Sequence, residues 1–229
     1  LLLVETAYGL ASQFSEAAAL GQAGVVGAAC FLTAMSVNWL APRLPRFRAN
    51  HPEVQLNIST ELWEPREMAE GVDVEIRFSL RPADTVRAEL LHRDIYYPVC
   101  APNYPVTLGD LAMHPLYDCS NLLCNWAGWA EDQSLVWPDP PVTYSTSYMV
   151  SLSVAMAGGG LALAHDIIAE RLITSGQLVA PFSHRVPMQE SYYLILSPQA
   201  EHSPGTVAFA AWLRAEMALC QSGRLGTQA

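Results

Sequence analysis

Residues 25 to 58 read as a strand, a helix and a second strand, and that succession leaves few folds open. Val25 to Phe31 is a continuous apolar run of strand length. Val37, Leu40, Leu44 and Phe47 then recur at helical spacing, with Arg43, Arg46 and Arg48 on the wet side. His51-Pro52 closes this helix, because proline disfavours helical backbone in the residue before it. Val54, Leu56 and Ile58 alternate as a strand, and Val74 to Phe78 reads as another. Such a βαβ unit implies a parallel sheet. Pro42 and Pro45 fall inside the helix, where each costs about 3 kcal/mol, so a kinked or shortened helix is expected.

The alternation of elements continues. A strand is expected from about Arg87 through Val99, a short helix near Leu108 to Met113, and a helical turn at Trp126-x-x-Trp129. Val142 to Tyr144 reads as a strand and Ser147 to Ala157 as a helix ended by Gly158-Gly159-Gly160. Leu161 to Ala164, Ile167 to Ile173 and Tyr192 to Leu196 follow as strand, helix and strand. Ser203-Pro204 opens the last helix, whose inner face is expected to be Val207, Ala208, Ala211, Trp212, Ala215 and Leu219.

Composition narrows the functional classes. With 51% hydrophobic and 15% charged residues in 229, the chain suits one large α/β domain or two lobes and argues against disorder. The net charge is −10 and every basic side chain is arginine, so this body repels phosphate backbones. The five cysteines, Cys30, Cys100, Cys119, Cys124 and Cys220, are scattered and odd in number, the usage of a reducing compartment. Leu1 to Val4 lacks the basic lead of a signal peptide, and no run reaches the roughly 18 apolar residues of a spanning helix. A cytoplasmic protein without membrane contact is expected.

Enzymatic constellations are missing. There is no Gly-x-Ser-x-Gly, Walker loop, His-Glu-x-x-His or strand-following Gly-x-Gly-x-x-Gly, and the histidines show no ligand spacing. The reading is therefore of a non-enzyme with no metal and no cofactor.

Six stretches carry a family resemblance. They are Trp39-Leu-x-Pro-Arg-Leu-x-x-Phe-x-x-x-His-Pro-x-Val, Asp73-Val-x-Ile-Arg-Phe, Pro98-Val-Cys-Ala-Pro, Ala157-Gly-Gly-Gly-Leu-Ala-Leu, Gly176-Gln-Leu-Val and Phe209-x-x-Trp-Leu. In this order the chain resembles the effector-binding domain of LysR-type transcriptional regulators, the glycine-cleavage and β-lactamase activator branch above all. The resemblance implies a two-lobed, periplasmic-binding-protein-like (type II) α/β fold, each lobe a mixed, mostly parallel sheet flanked by helices. Lobe I would be 22–96 plus 190–222 and lobe II 97–189, with the end of a linker helix at 1–21 and a disordered tail at 223–229. It also implies a small polar or anionic effector held between the lobes, a homodimer or homotetramer, and DNA contact only through a helix-turn-helix module expected upstream.

Free N–H groups and the helix dipole make helix N-termini at strand ends the natural ligand sites of such folds. Two are expected to serve: Thr33, Ala34, Met35 and Ser36, and Thr146, Ser147 and Tyr148. Plain N-capping, worth about 1 kcal/mol, is the competing reading for Thr33 and Ser147. Many relatives carry a hydroxyl where Ala34 stands, whereas Tyr192 keeps a pocket tyrosine of the family. Arg77 is a candidate carboxylate partner or a structural ion pair. Glu61 and Trp63 either rim the cleft or are loop residues, and His165 either faces it or is a satisfied core histidine. Two alternatives stay open, a transport-type solute-binding protein and a redox sensor working through Cys119 and Cys124.

The acidic body yields a direct expectation. Titration of this chain against a fluorescent promoter duplex at two salt concentrations should show no submicromolar, salt-sensitive binding.

Overall fold

The computed structural model describes residues 25–61, 72–80, 88–120, 122–198 and 200–225. The expected linker helix (1–21), Trp63 and the end of the expected tail (226–229) lie outside them. Among the described residues are eight strands: β1 (Val25–Leu32), β2 (Gln55–Glu61), β3 (Val72–Ser79), β4 (Ala88–Val99), β5 (Leu116–Cys119), β6 (Val142–Ser145), β7 (Leu161–His165) and β8 (Val186–Leu196). The helices are α1 (Thr33–Met35), α2 (Leu44–Asn50), α3 (Trp126–Asp132), α4 (Tyr148–Met156), α5 (Asp166–Thr174) and α6 (Pro204–Leu225). The last passes the 222 boundary expected for the tail. Instead of the expected short helix, Leu111–Met113 forms a single 3₁₀ turn.

The chain divides into two compact units. One comprises the described residues of Leu1–Leu32, Arg43–His92 and Tyr192–Ala229; the other is Thr33–Pro42 with Arg93–Ser191. Thr33–Pro42, read from sequence within the first lobe, thus groups with the second unit. The long strands β4 and β8 each begin in one unit and end in the other.

In the first unit β1 lies between β2 and β3 and pairs with both in parallel, Cys30 opposite Ser59 and Glu75, as the βαβ reading requires. The helix between β1 and β2 is broken, for a reason the prolines make plain. After α1 the backbone widens into a π turn, Ser36–Leu40, closed by Ala41 N–H donating to Ser36 O at 2.8 Å. Pro42 has no N–H to continue the ladder, residues 41–43 turn, and α2 restarts with Pro45 in its first turn, where no N–H is needed. The break also divides the expected apolar face. Leu40 and Phe47 are buried, but Val37 is 44% exposed.

Phe47 locks α2 to α6. Its ring lies 5.2 Å from both Phe209 and Trp212, and His51 stacks on it at 4.9 Å. Against expectation, α6 buries Phe209, Ala210, Leu213, Met217 and Cys220, while Val207 and Leu219 are exposed. Apolar residues surround this helix, so periodicity offered two equivalent faces. The buried one also carries Glu216, which accepts from Arg46 at 2.8 Å and faces Arg43 at 3.8 Å. That pairing is what permits a carboxylate there.

In the second unit the order is β4-β7-β5-β6, with β4 and β7 antiparallel and β5 parallel to both β6 and β7. Helix α4 packs on β5, β6 and β7, and α5 packs on the π turn. The triple glycine joins α4 to β7. At Gly160 φ is +148°, and a Cβ would stand 2.2 Å from Pro115 O, which accepts the Leu161 N–H at 3.0 Å. Gly158, at φ +76°, has open space around it.

Urea unfolding should separate the two glycines. Gly158→Ala meets only left-handed backbone strain, about 1–2 kcal/mol. Gly160→Ala adds a collision with main chain at the start of β7 and should cost roughly 3 kcal/mol or more.

Candidate functional site

The parallel strands β5 and β6 end side by side at Cys119 and Ser145. Ser120 ties the ends together, its N–H donating to Ser145 O at 2.8 Å. Ser145 Oγ accepts from Ser147 N at 3.1 Å and donates to Ser147 O at 3.0 Å, which sets the extended backbone of the next residues. Ser147 Oγ then accepts from Met149 N at 3.3 Å, capping α4 as expected. Thr146 is exposed, Ser147 half-buried.

The other predicted turn lies in the same unit. Asn38 Nδ2 donates to Ala34 O at 3.1 Å and toward Met149 Sδ at 3.5 Å, joining the helix begun by α1 to the first turn of α4. Of its four predicted residues, Ala34, Met35 and Ser36 are buried and Thr33 is half-buried.

Tyr148 looks inward. Its hydroxyl bonds His165 Nε2 and lies 3.9 Å from Cys124 Sγ. Burial drives the His165 pKa down to about 4, opposed by the nearby Asp94 carboxylate. His165 is thus a neutral, partnered core histidine.

Two site residues named from sequence belong to the first unit. Arg77 Nε donates to Glu75 Oε1 at 2.6 Å within its own strand, both side chains buried, so its charge is already met. Tyr192 is 1% exposed, its ring 4.6 Å from Phe78 and 6.3 Å from His92. The Glu61 side chain lies outside the described set.

Cys100, Cys119, Cys124 and Cys220 form no disulfide. Burial first, then Asp118, pushes the Cys119 thiol up to about 12, and the same two causes raise Cys124 further. In both, burial disfavours the thiolate form on which thiol reactivity depends. Among the described residues no three His, Cys, Asp or Glu side chains are placed to hold a metal ion. No helix among them is long and apolar enough to cross a membrane.

Of the buried acids that escaped the sequence reading, two of the second unit have no cation beside them among the described residues. Asp118 is 1% exposed, with Oδ1 accepting from Cys119 N at 2.8 Å, and burial lifts its pKa to about 7. Glu190 is 6% exposed; Oε1 accepts from Leu123 N at 2.8 Å and Oε2 has no partner. Period-two alternation was the available signal. Leu116 and Asp118 share one face of β5, as Met188 and Glu190 share one face of β8.

The family model for the LysR substrate binding domain matches residues 25–218. The glycine cleavage system transcriptional activator of Escherichia coli K12 is 30% identical over 198 residues, covering 82% of this chain and 63% of that protein. The HTH-type transcriptional activator AmpR of Rhodobacter capsulatus is 30% identical over 194 residues, 81% and 65% of the two chains. The chain therefore spans about two thirds or less of the curated relatives it matches. Among solved structures, the effector domain of AmpR from Pseudomonas aeruginosa superposes with a TM-score of 0.75 at 27% identity, over 88% of this chain and 99% of that one. The helix-flanked mixed sheet is accordingly that of these effector domains, the type II periplasmic-binding-like class.

The two perturbed groups pull stability in opposite directions with pH. Asp118, raised from 3.8 to about 7, contributes stability present below pH 4 and lost as pH rises through 7. His165, lowered from 6.5 to about 4, contributes stability present above pH 6.5 and lost as pH falls through 4. Asp118→Asn removes the first effect. Its stability advantage over wild type should therefore grow between pH 4 and 7, by up to about 1.4 kcal/mol per unit. Urea midpoints across that range check this, and an advantage that shrinks as pH rises would contradict it.

Proposed function

The chain belongs to the LysR substrate-binding domain family, and on that premise we propose that it senses a small polar or anionic molecule for a transcriptional regulator. Binding biases a DNA-reading module of the same protein, in a cytoplasmic homodimer or homotetramer. DNA contact falls to that module and not to this acidic body. The role is binding and not turnover, in keeping with relatives named as transcriptional activators.

The observation that carries the reading is the capped start of α4. Thr146 and Ser147 stand at the carboxyl end of β6, where the positive end of the α4 dipole emerges. Thr33, Ala34, Met35 and Ser36 are candidate contacts beside it, and Tyr148 stiffens the turn from below. Tyr192 is a further candidate on the family resemblance, whereas the Arg77 fork is engaged by Glu75.

A thermal-shift screen of small organic acids, amino acids and nucleotides against the protein is the direct test. With the first compound that binds, Ser147→Ala should weaken affinity about tenfold while lowering melting by only a few degrees. Tyr192→Phe should weaken it as well. If Ser147 were a cap alone, the reverse holds: stability falls and calorimetric affinity is unchanged.

A further inference from the structure

We propose that the second unit contains a cation subsite that takes the protonated amine of the effector, with Glu190 and Asp118 as its acceptors. This rests on the binding role just described and narrows the ligand to a molecule carrying both an amine and an anionic or polar group, an α-amino acid in its simplest form.

Glu190 carries the inference. Its side chain is more than nine-tenths buried, one oxygen takes the Leu123 N–H, and the other has no donor. A carboxylate is acceptor-only when ionised and is costly to bury without a countercharge. Asp118 is buried as well, at the end of β5, where its Oδ1 accepts the Cys119 N–H at 2.8 Å. No arginine or histidine among the described residues pairs with either acid. The unit thus holds two desolvated carboxylates and no cation of its own for them.

The acids converge. Glu190 holds Leu123, the residue before Cys124, and Asp118 O accepts from Ser151 Oγ of α4 at 3.3 Å; burial first, and then both acids, raise the Cys124 thiol and the Tyr96 phenol. Tyr96 is buried, and its hydroxyl reaches the first turn of α3, where a Cβ on Gly128 would stand 3.3 Å from it. An ammonium group brings three donors to such a place and cancels charge as it enters.

The position matches the other end of the ligand. Cys124 Sγ lies 3.9 Å from the Tyr148 hydroxyl, and Tyr148 follows the Ser147 cap directly. A single tyrosine therefore separates the acidic neighbourhood from the helix start suited to an anion. Arg77 offers no equivalent positive site, because Glu75 already neutralises it.

The probes are the twenty protein amino acids, each matched with its des-amino carboxylate, titrated calorimetrically against this chain. At least one amino acid should bind about tenfold or more tightly than its des-amino partner. Glu190→Gln and Asp118→Asn, both isosteric, should each reduce that preference to below about threefold, with circular dichroism unchanged. Ser147→Ala should weaken both members of the pair alike. The subsite is overturned if no amino acid beats its des-amino partner, or if the preference survives in a folded Glu190→Gln protein. Should Glu190→Gln fail to fold, Asp118→Asn decides by the same criterion. A Ser147→Ala effect without amine preference removes the subsite and leaves the effector site standing. Amine preference lost in Glu190→Gln but indifferent to Ser147→Ala removes the α4 site and leaves the subsite.

Discussion

The Asp94 carboxylate accepts two backbone N–H groups, Ile95 on its own strand at 2.8 Å and Ile167 in the first turn of α5 at 3.2 Å, and the interior of the second unit hangs on that link. A negative charge at a helix start satisfies an orphan donor and opposes the dipole. It also fixes α5 against β4, and α5 supplies Ile167, Ile168 and Leu172 to the core and a floor for the π turn bearing Trp39. Because β4 and β7 are antiparallel, with Tyr96 opposite His165, the same charge lies near that imidazole. His165 in turn holds Tyr148, the first residue of α4. The capped helix start is thus built from the inside outward, through a chain of buried polar contacts.

The two units handle charge differently. In the first, acids meet guanidinium groups: Glu216 with Arg46, Glu75 with Arg77, and Glu89 with Arg214 through three short contacts. With no lysine in the chain, each of these cations is a planar fork that cannot lose its proton. The exposed Glu89 pair adds little stability, while the buried pairs are costly to break. The second unit pairs Asp166 with the Tyr97 hydroxyl at 2.5 Å and lays Arg185 over that ring, yet leaves Asp118 and Glu190 without cations. Among the described residues no guanidinium reaches either of these two buried acids, in contrast to Glu75 and Glu216 of the first unit.

The parallel βαβ start was legible because strand and helix periods differ, and proline chemistry foretold the broken helix. Ser147 and Ser203 were legible as caps for the same local reason, each accepting a backbone N–H from its own first turn. The inner face of α6 was not. Val207, Ala211, Ala215 and Leu219 form as regular an apolar line as Phe209, Leu213, Met217 and Cys220, and only the position of Phe47 chooses between them. The buried acids were hidden by a different cause. Alternation points Asp118 and Glu190 inward, but desolvation is a property of what surrounds a side chain, and those surroundings come from distant parts of the chain. Arg77 shows the converse, since its partner stands two residues away on the same strand and was in plain view.

The tryptophans give the second unit an optical identity. Trp39, Trp126, Trp129 and Trp137 all belong to it, and the Trp126 and Trp137 rings lie parallel within 2° at a centroid separation of 6.3 Å. Two indoles so aligned couple their electronic transitions, and Trp129 stands edge-on to the first of them at 6.4 Å. Near-ultraviolet dichroism of this protein therefore carries a contribution from the start of α3, which begins two residues after Cys124. The chain carries its own unlabelled chromophore beside the neighbourhood where the carboxylates gather.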